Sequence, residues 1–311
     1  MTALVRIGIV PHLTRPQAAE LARIAAHELE GRGIEVVVPA SDAAVTGLEQ
    51  WAVSDDVFCD GLSMVFSLGG DGTMLRAVDL VLACDVPVLG VNVGHLGYLT
   101  SLVPGELRGS LTKLLAGHYQ IDARMTLAIE VRRPGSDTVQ RLHALNDAVV
   151  EKSSPGNTVR LGVAFNGRPF LDYSTDGLIV ATPTGSTAYA FSVRGPIVSP
   201  AMEALIVVPV SPHMLFDRSL VLDGSETVTT TVLDGRAGTL FVDGRDCGLI
   251  PEGSTVTCSR GAVSARLVTF GDRDFYGRVT SKFALPIPGE SPARERFAHV
   301  IDEAEEPRRS H

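Results

Sequence analysis

The stretch that decides the fold runs Leu62-Ser63-Met64-Val65-Phe66-Ser67-Leu68-Gly69-Gly70-Asp71-Gly72-Thr73. An apolar run of strand length meets a glycine turn, and a helix-forming stretch over residues 74–83 follows. Strand, tight turn and helix together gather backbone N–H groups at a helix N-terminus, where phosphate oxygens bind well. Gly69, Gly70 and Gly72 strip side chains from the loop, so a ligand can approach the backbone closely. Asp71 puts a carboxylate in the middle of the turn. The plain explanation is a turn aspartate that satisfies local N–H groups. The functional one is a proton acceptor or metal ligand beside a phosphate. A loop at the carboxyl end of a parallel strand is where α/β sheets place ligands, which favours the second. The chain lacks both G-x-x-x-x-G-K-[ST] and a full G-x-G-x-x-G. It is therefore neither a P-loop protein nor a standard dinucleotide fingerprint.

Outward from this turn, strand and helix alternate. Val5-Arg6-Ile7-Gly8-Ile9-Val10 reads as a first strand. Pro16 suits a first helical turn, and Ala18, Leu21, Ala22, Ala25 and Leu29 share one helical face up to Gly31-Arg32-Gly33. Residues 34–38 and 86–91 are strand-like. This βαβ pattern predicts a parallel sheet covered by helices. The texture changes near Ile121. From Ala123 to about Phe270, short runs dominate, at 127–131, 142–150, 161–165, 178–181, 227–233 and 239–242. Asn166-Gly167, Asp234-Gly235 and Asp243-Gly244 separate many of them, which predicts antiparallel strands. One helix-like interruption, from Thr187 to about Val193, follows the turn Pro183-Thr184-Gly185-Ser186. The expected fold is α/β: a Rossmann-like parallel-sheet domain at 1–121, then a mainly antiparallel β domain at 122–270. A return segment packing on the first domain is expected at 271–290, and a charged, flexible tail at 291–311.

Composition narrows the function classes. A 311-residue chain with 45% hydrophobic residues can bury a core without disulfides. Cys59, Cys84, Cys247 and Cys258 form no C-x-x-C pair, so structural zinc is not expected and reduced, cytoplasmic thiols are. The net charge is −9 with no basic run, which argues against a nucleic-acid partner. No apolar run approaches the roughly 20 residues of a membrane span, and Arg6 interrupts the N-terminal apolar stretch, so no membrane partner is expected. A phosphate substrate would have to be bound through local N–H groups, a few arginines or a metal.

Two further clusters carry polar chemistry. Asn146-Asp147 heads an apolar run; adjacent residues in a strand face opposite sides. The pair reads as a β-turn or as hydrogen-bonding groups for ribose hydroxyls or a base edge. The block from Ser174 to Tyr189 frames an apolar strand and a Pro/Gly turn with hydroxyl residues. Ser186 or Thr187 alone would be a helix cap, but a block of this length asks for more.

In order and spacing, Gly69-Gly70-Asp71-Gly72-Thr73, Asn146-Asp147 and the block from Asp176 to Tyr189 resemble the NAD kinases. Gly90-Val91-Asn92-Val93-Gly94-His95-Leu96-Gly97-Tyr98-Leu99 is similar to that family's second glycine-rich segment. The resemblance covers about residues 5–288. Lipid kinases and phosphofructokinases share the Gly-Gly-Asp-Gly loop, whereas Asp-Gly-Leu-Ile-Val-Ala-Thr-Pro-Thr-Gly-Ser-Thr-Ala-Tyr is highly specific. The resemblance implies phosphorylation of the adenosine ribose 2′-hydroxyl of NAD by ATP, or by polyphosphate, giving NADP. It implies a catalytic Asp71 and a dinucleotide site of Asp71, Gly72, Arg76, Asn146, Asp147, Ser174, Asp176, Thr187, Ala188, Tyr189, Ala190, Phe191, Ser192 and Arg245. It also implies a divalent metal (Mg or Mn), and a homodimer or homotetramer in which a neighbouring subunit often completes the site.

Three positions depart from the family pattern. Thr175 stands before Asp-Gly where many relatives carry other small residues. Ser174 lies where relatives differ between arginine and glycine, which leaves NAD against NADH preference open. Val193-Arg194-Gly195-Pro196 replaces a usual Ala-Gly-Gly-Pro, so a bulky Arg194 closes space or adds a phosphate contact. The competing readings are a lipid or sugar kinase sharing only the glycine–aspartate loop, and a non-catalytic dinucleotide-binding or sensing module.

Overall fold

Three strands at the centre of the first sheet, Arg6–Pro11, Met64–Gly69 and Val88–Asn92, are buried along almost their whole length. Continuous burial, rather than alternation, marks a parallel sheet covered on both faces. The computed structural model describes residues 4–94, 97–271 and 275–285. The sheet has seven strands, in the order Ala52–Val53, Glu35–Pro39, Arg6–Pro11, Met64–Gly69, Val88–Asn92, Ala265–Thr269 and Gln120–Arg124. All neighbours pair parallel except the last, which runs antiparallel to Ala265–Thr269. The helix Pro16–Glu30 starts on its proline and buries Ala18, Ala19, Ala22, Ala25, Ala26 and Leu29. Leu21, expected on that face, sits at its edge, half-buried.

Strand order reverses between Arg6–Pro11 and Met64–Gly69. The crevice outside the carboxyl ends at such a point is where open α/β sheets bind ligands. The glycine turn leaves Met64–Gly69 at this point, and the His12 N–H donates to the Leu68 carbonyl across it at 2.8 Å.

Residues 127–260 build two six-stranded antiparallel sheets. One runs Arg168–Thr175, Val159–Phe165, Val228–Leu233, Thr255–Arg260, Leu127–Arg132 and Val139–Ala144; the other runs Leu220–Asp223, Ala204–Val210, Gly177–Ala181, Asp147–Lys152, Gly238–Val242 and Arg245–Ile250. Their facing side chains, among them Ile129, Leu161, Tyr173 and Val232 from one and Val150, Leu178, Val207 and Leu240 from the other, form one core. The outer face of the second sheet is covered too: Val149, Ile179, Ile206 and Val208 pack with Ala190 and Val198. The chain thus joins a parallel α/β sheet to antiparallel sheets, as the run lengths and turn signals predict.

Residues 142–150, which periodicity reads as one strand, are two, Val139–Ala144 and Asp147–Lys152, broken by a bend at Leu145 and Asn146. Contacts group Met1–Gly271 into one unit; the helix Phe275–Lys282 lies in a second. The expected tail at 291–311 lies outside the described residues, as do His95 and Leu96; of the expected return segment only Gly271 and 275–285 are described.

Candidate active site

The helix after the glycine turn begins earlier than its apolar pattern suggests. It spans Asp71–Val81, with extended Gly70 as its N-cap, and gives way to a 3₁₀ turn at Leu82–Cys84. Asp71 is therefore the first helical residue rather than the middle of a loop. Its carboxylate accepts the N–H groups of Tyr98 (2.8 Å to Oδ2) and Leu99 (3.0 Å to Oδ1). A Cβ on Gly97 would lie 2.1 Å from Asp71 Oδ1, so this approach requires glycine there. Gly69 is pinned too, since a Cβ would meet Thr73 Oγ1 at 2.1 Å. At Gly70 and Gly72 a Cβ would meet nothing within 4 Å. Those two glycines leave the start of the helix open to a ligand, although the Thr73 N–H is already taken by the Gly70 carbonyl at 3.1 Å. Five residues along the helix, Arg76 binds buried Asp42 and donates to the Pro11 carbonyl at 2.7 Å.

The bend at Leu145 and Asn146 is held by a residue nearly a hundred positions away. Asp243 Oδ2 accepts the Leu145 N–H at 2.7 Å, and Oδ1 accepts those of Asn146 at 2.7 Å and Asp147 at 3.1 Å. On the other side, Thr182 donates its hydroxyl to the Leu145 carbonyl at 2.6 Å and its N–H to that of Asn146 at 2.8 Å. A Cβ on Gly185 would lie 2.2 Å from the Asn146 carbonyl oxygen, so the Pro-Thr-Gly-Ser turn can seat itself only with glycine. Burial, then the charge of Asp243, push the Asp147 carboxyl up to about 7, opposed by a hydrogen bond from the Tyr189 N–H. Burial also raises Asp243, and its three N–H partners oppose that shift.

The hydroxyls of the 174–189 block are mostly scaffold. Ser186 donates to the Pro183 carbonyl at 2.7 Å and accepts the Val198 N–H at 3.0 Å; it caps no helix. The helix-like interruption is a 3₁₀ turn, Thr184–Thr187, followed by one helical turn, Tyr189–Ser192. That turn closes with Gly195 N–H to Ala190 O at 2.8 Å and Arg194 N–H to Phe191 O at 3.1 Å. These are the two bonds of a Schellman motif, and Arg194 occupies its left-handed position at φ 68°.

Two cavities adjoin. One, of about 440 Å³, is lined by Leu75, Asn146, Asp147, Val149, Glu151, Ala188, Tyr189, Phe241, Asp243 and Gly244. The other, of about 270 Å³, is lined by Gly72, Leu75, Arg76, Asp79, His143, Val242, Asp243, Gly244 and Arg245. Leu75, Asp243 and Gly244 wall both, so they form one cleft between the helix Asp71–Val81 and the 145–147 bend. Of the residues singled out in the sequence, the cleft gathers Gly72, Arg76, Asn146, Asp147, Ala188, Tyr189 and Arg245. Asp71 lines neither cavity; it directly precedes Gly72, which does, and its carboxylate holds the N–H groups at 98–99. Arg245 donates to Asp79 Oδ2 at 2.5 Å, tying the hairpin to the helix and raising its own pKa. The Tyr189 hydroxyl donates to Glu151 Oε1 at 2.8 Å; burial first, then Glu151, push its pKa to about 12.

The remaining candidates line neither cavity. Asp176 pairs with Lys152 at 2.7 Å, Ser174 contacts Thr158 Oγ1 at 3.4 Å, Thr187 donates to the Thr184 carbonyl, and Ala190 is fully buried with Phe191 half-buried beside it. Ser192 and Arg194 line a separate cavity of about 710 Å³.

The same two halves of the chain match family models. Residues 7–119 match the ATP-NAD kinase N-terminal domain and residues 145–270 its C-terminal domain. An NAD kinase of Moorella thermoacetica is 39% identical over 280 residues, 89% of this chain and 88% of that protein. This chain belongs to the NAD kinase family. NAD kinase 2 of Streptomyces avermitilis is 37% identical over 288 residues, 91% of this chain and 95% of that protein. In fold, the chain is similar to yeast NADH kinase complexed with NADH, with a TM-score of 0.84 at 22% identity over 90% of this chain and 87% of that one. It is also similar to the Archaeoglobus fulgidus NAD kinase in complex with ATP, at 0.69 and 23% over 89% and 98%.

Two residues that shape the cleft of this NAD kinase, only the first of which lines it, escaped sequence reasoning. Asp243 registers there only as half of an Asp-Gly turn, and Gly185 only as a turn glycine. Nothing local signals that one clamps, and the other clears room for, a bend so far away. Among the described residues, no group of three or more His, Cys, Asp or Glu is placed to hold a metal ion. A protein-built cation cage therefore does not fit this cleft. A hard divalent ion held mainly by nucleotide phosphates needs only one or two protein carboxylates. No described helix is long and apolar enough to cross a membrane.

Proposed function

We propose that this NAD kinase moves the terminal phosphoryl group of ATP to the 2′-hydroxyl of the adenosine ribose of NAD, giving NADP, in the cleft between the glycine turn and the 145–147 bend. The observation that carries this reading is the shared wall of Leu75, Asp243 and Gly244, which joins the two halves of the cleft into one space. An anion-binding helix terminus with a carboxylate stands on one side, and a pair of hydrogen-bonding groups on the other. Asn146 and Asp147 bind the adenosine, with Ala188 and Tyr189 walling it. Asp71 accepts the hydroxyl proton, or holds the hydroxyl in line as the bond to phosphorus forms. A carboxylate has about four acceptor positions, so two N–H partners leave room for the substrate hydroxyl. The open first turn at Gly70 and Gly72, with Arg76 and Arg245, meets phosphate charge. Positioning and charge neutralisation do most of the work in such a transfer. A divalent metal bound with the nucleotide would be held mainly by its phosphates and would neutralise their charge.

Ser174, Asp176, Thr187, Phe191 and Ser192 stand outside the cleft lining, and their family matches fit a site completed across a subunit boundary, whereas Ala190 is buried in the chain's own core. The chain therefore works as a homodimer or homotetramer. The test is NADP formation by purified protein with ATP and magnesium, repeated with polyphosphate as donor and with NADH as acceptor. Saturable NAD binding without NADP would instead establish a non-catalytic module. Phosphorylation of diacylglycerol in place of NAD would establish a lipid kinase.

A further inference from the structure

Adjacent residues of a regular strand face opposite sides, yet Asn146 and Asp147 line the same cavity. The bend at 145–146 makes this possible, and three N–H bonds to one carboxylate, Asp243, hold the bend. Asp243 and Gly244 also form the two-residue loop between Gly238–Val242 and Arg245–Ile250, at φ 48° and 76°. Two positive φ values are the signature of a type I′ hairpin, for which Asn-Gly is as good a sequence as Asp-Gly. The turn itself therefore does not need a carboxylate; the three N–H groups do.

We propose that Asp243 is a positioning residue for the adenosine side of the site. Its carboxylate shapes the Leu145–Asn146–Asp147 bend so that two neighbouring side chains point into one cleft, and it sets the charge that Asp147 meets there. This rests on the assignment of Asn146 and Asp147 to NAD binding. The groups facing Asp147 are Asp243 from the hairpin, with Asp79 and Arg245 behind it, and Tyr189 from the opposing turn, with Glu151 on its own strand.

The turn argument selects the variant. Asp243→Asn keeps an Asn-Gly hairpin but replaces one acceptor oxygen by an amide donor that faces N–H. The full-length variant is expected to raise the NAD KM about tenfold or more, with the ATP KM within about twofold of wild type. Calorimetric titration with NAD alone reports the same loss. If Asp147 carries the pH dependence of NAD binding, its midpoint is expected to shift downward in the variant because the neighbouring negative charge is gone. A merely structural role would lower the active fraction, and with it kcat, and would move neither the NAD KM nor the midpoint; that result overturns the proposal. Thr182→Val releases Leu145 from the other side while keeping the side-chain volume. It must show a smaller loss of the same selective kind, and it keeps the proposal testable should Asp243→Asn fold poorly. Asn146→Ala separates the two readings. If it weakens NAD binding while Asp243→Asn does not, the clamp alone is wrong. If Asn146→Ala leaves NAD binding unchanged, the adenosine site lies elsewhere and both fall.

Discussion

The two walls of the cleft are built by opposite means. The glycine turn is made from consecutive residues: a buried strand, side-chain-free positions and the first turn of a helix, fixed by one carboxylate reaching the loop at 98–99. The 145–147 bend is made from almost nothing of its own. Its shape comes from Asp243, 96 to 98 residues on, and from Thr182 and Gly185 pressing from the other side. A wall written locally tolerates change elsewhere in the chain, whereas a wall written remotely is deformed from several places.

The sharpest break of the local wall is Asp71→Asn. With a proton acceptor lost at the reacting hydroxyl, turnover is expected to fall by about 10²–10⁴. The amide also sets a donor against one of the N–H groups of Tyr98 and Leu99, so the loop at 98–99 should gain amide-exchange rate locally. NAD binding should persist, because Asn146 and Asp147 stand on the other wall. Near-normal turnover from a folded variant would remove Asp71 from the chemistry.

Against the remote wall, Gly185→Ala is the next largest effect. The added methyl would sit 2.2 Å from a backbone carbonyl rather than a mobile side-chain tip, so backbone must shift. Overpacking of this kind costs about 1–3 kcal/mol or more, read as a lower urea midpoint at unchanged slope. NAD binding should fall with it, since the displaced group belongs to the bend. A variant of wild-type stability would mean that the bend is softer than its hydrogen bonds suggest.

How far each wall was legible in the sequence follows from the same contrast. The strand, the glycine turn, the alternating βα order and the antiparallel runs could all be read, because each is set by neighbouring residues. Residues 142–150 looked like one strand because the carboxylate that breaks them lies at 243. The hydroxyls of the 182–187 stretch suggested a binding surface, while Thr182 and Ser186 bond backbone carbonyls and N–H groups of the scaffold. Arg245 was visible as a candidate, but its partner Asp79, on the helix of the other wall, was not.

The remote wall also carries a pH signature. The folded state raises the Asp147 carboxyl to about 7, from an unfolded value near the ordinary range of about 3.9. Between those values the folded protein binds more protons than the unfolded chain, so stability falls as pH rises through that window and is flat above it. Asp243, raised in the same direction, adds to the slope. Asp147→Asn should flatten it, gaining on the order of 2 kcal/mol at pH 8 relative to pH 5. Urea titrations of both proteins at the two pH values measure this, and parallel curves would refute the buried-pair account.

The smallest effect tests a third kind of site, one strained rather than built for the cleft. Arg194 sits at φ 68° in the left-handed position of a Schellman motif, with both motif hydrogen bonds formed. A non-glycine residue there costs roughly 1–2 kcal/mol, and glycine gives back about 0.5–1 kcal/mol through its freer unfolded chain. Arg194→Gly should therefore stabilise by about 0.5–1 kcal/mol, a thermal midpoint rise of about 1–3 °C for a unit of this size. Because Arg194 lines the separate cavity, beside Ser192, and not the cleft, kcat and the ATP KM should stay put. A fall in activity alongside the gain in stability would mean that the arginine's strain serves the reaction, and that the cleft extends beyond its two walls.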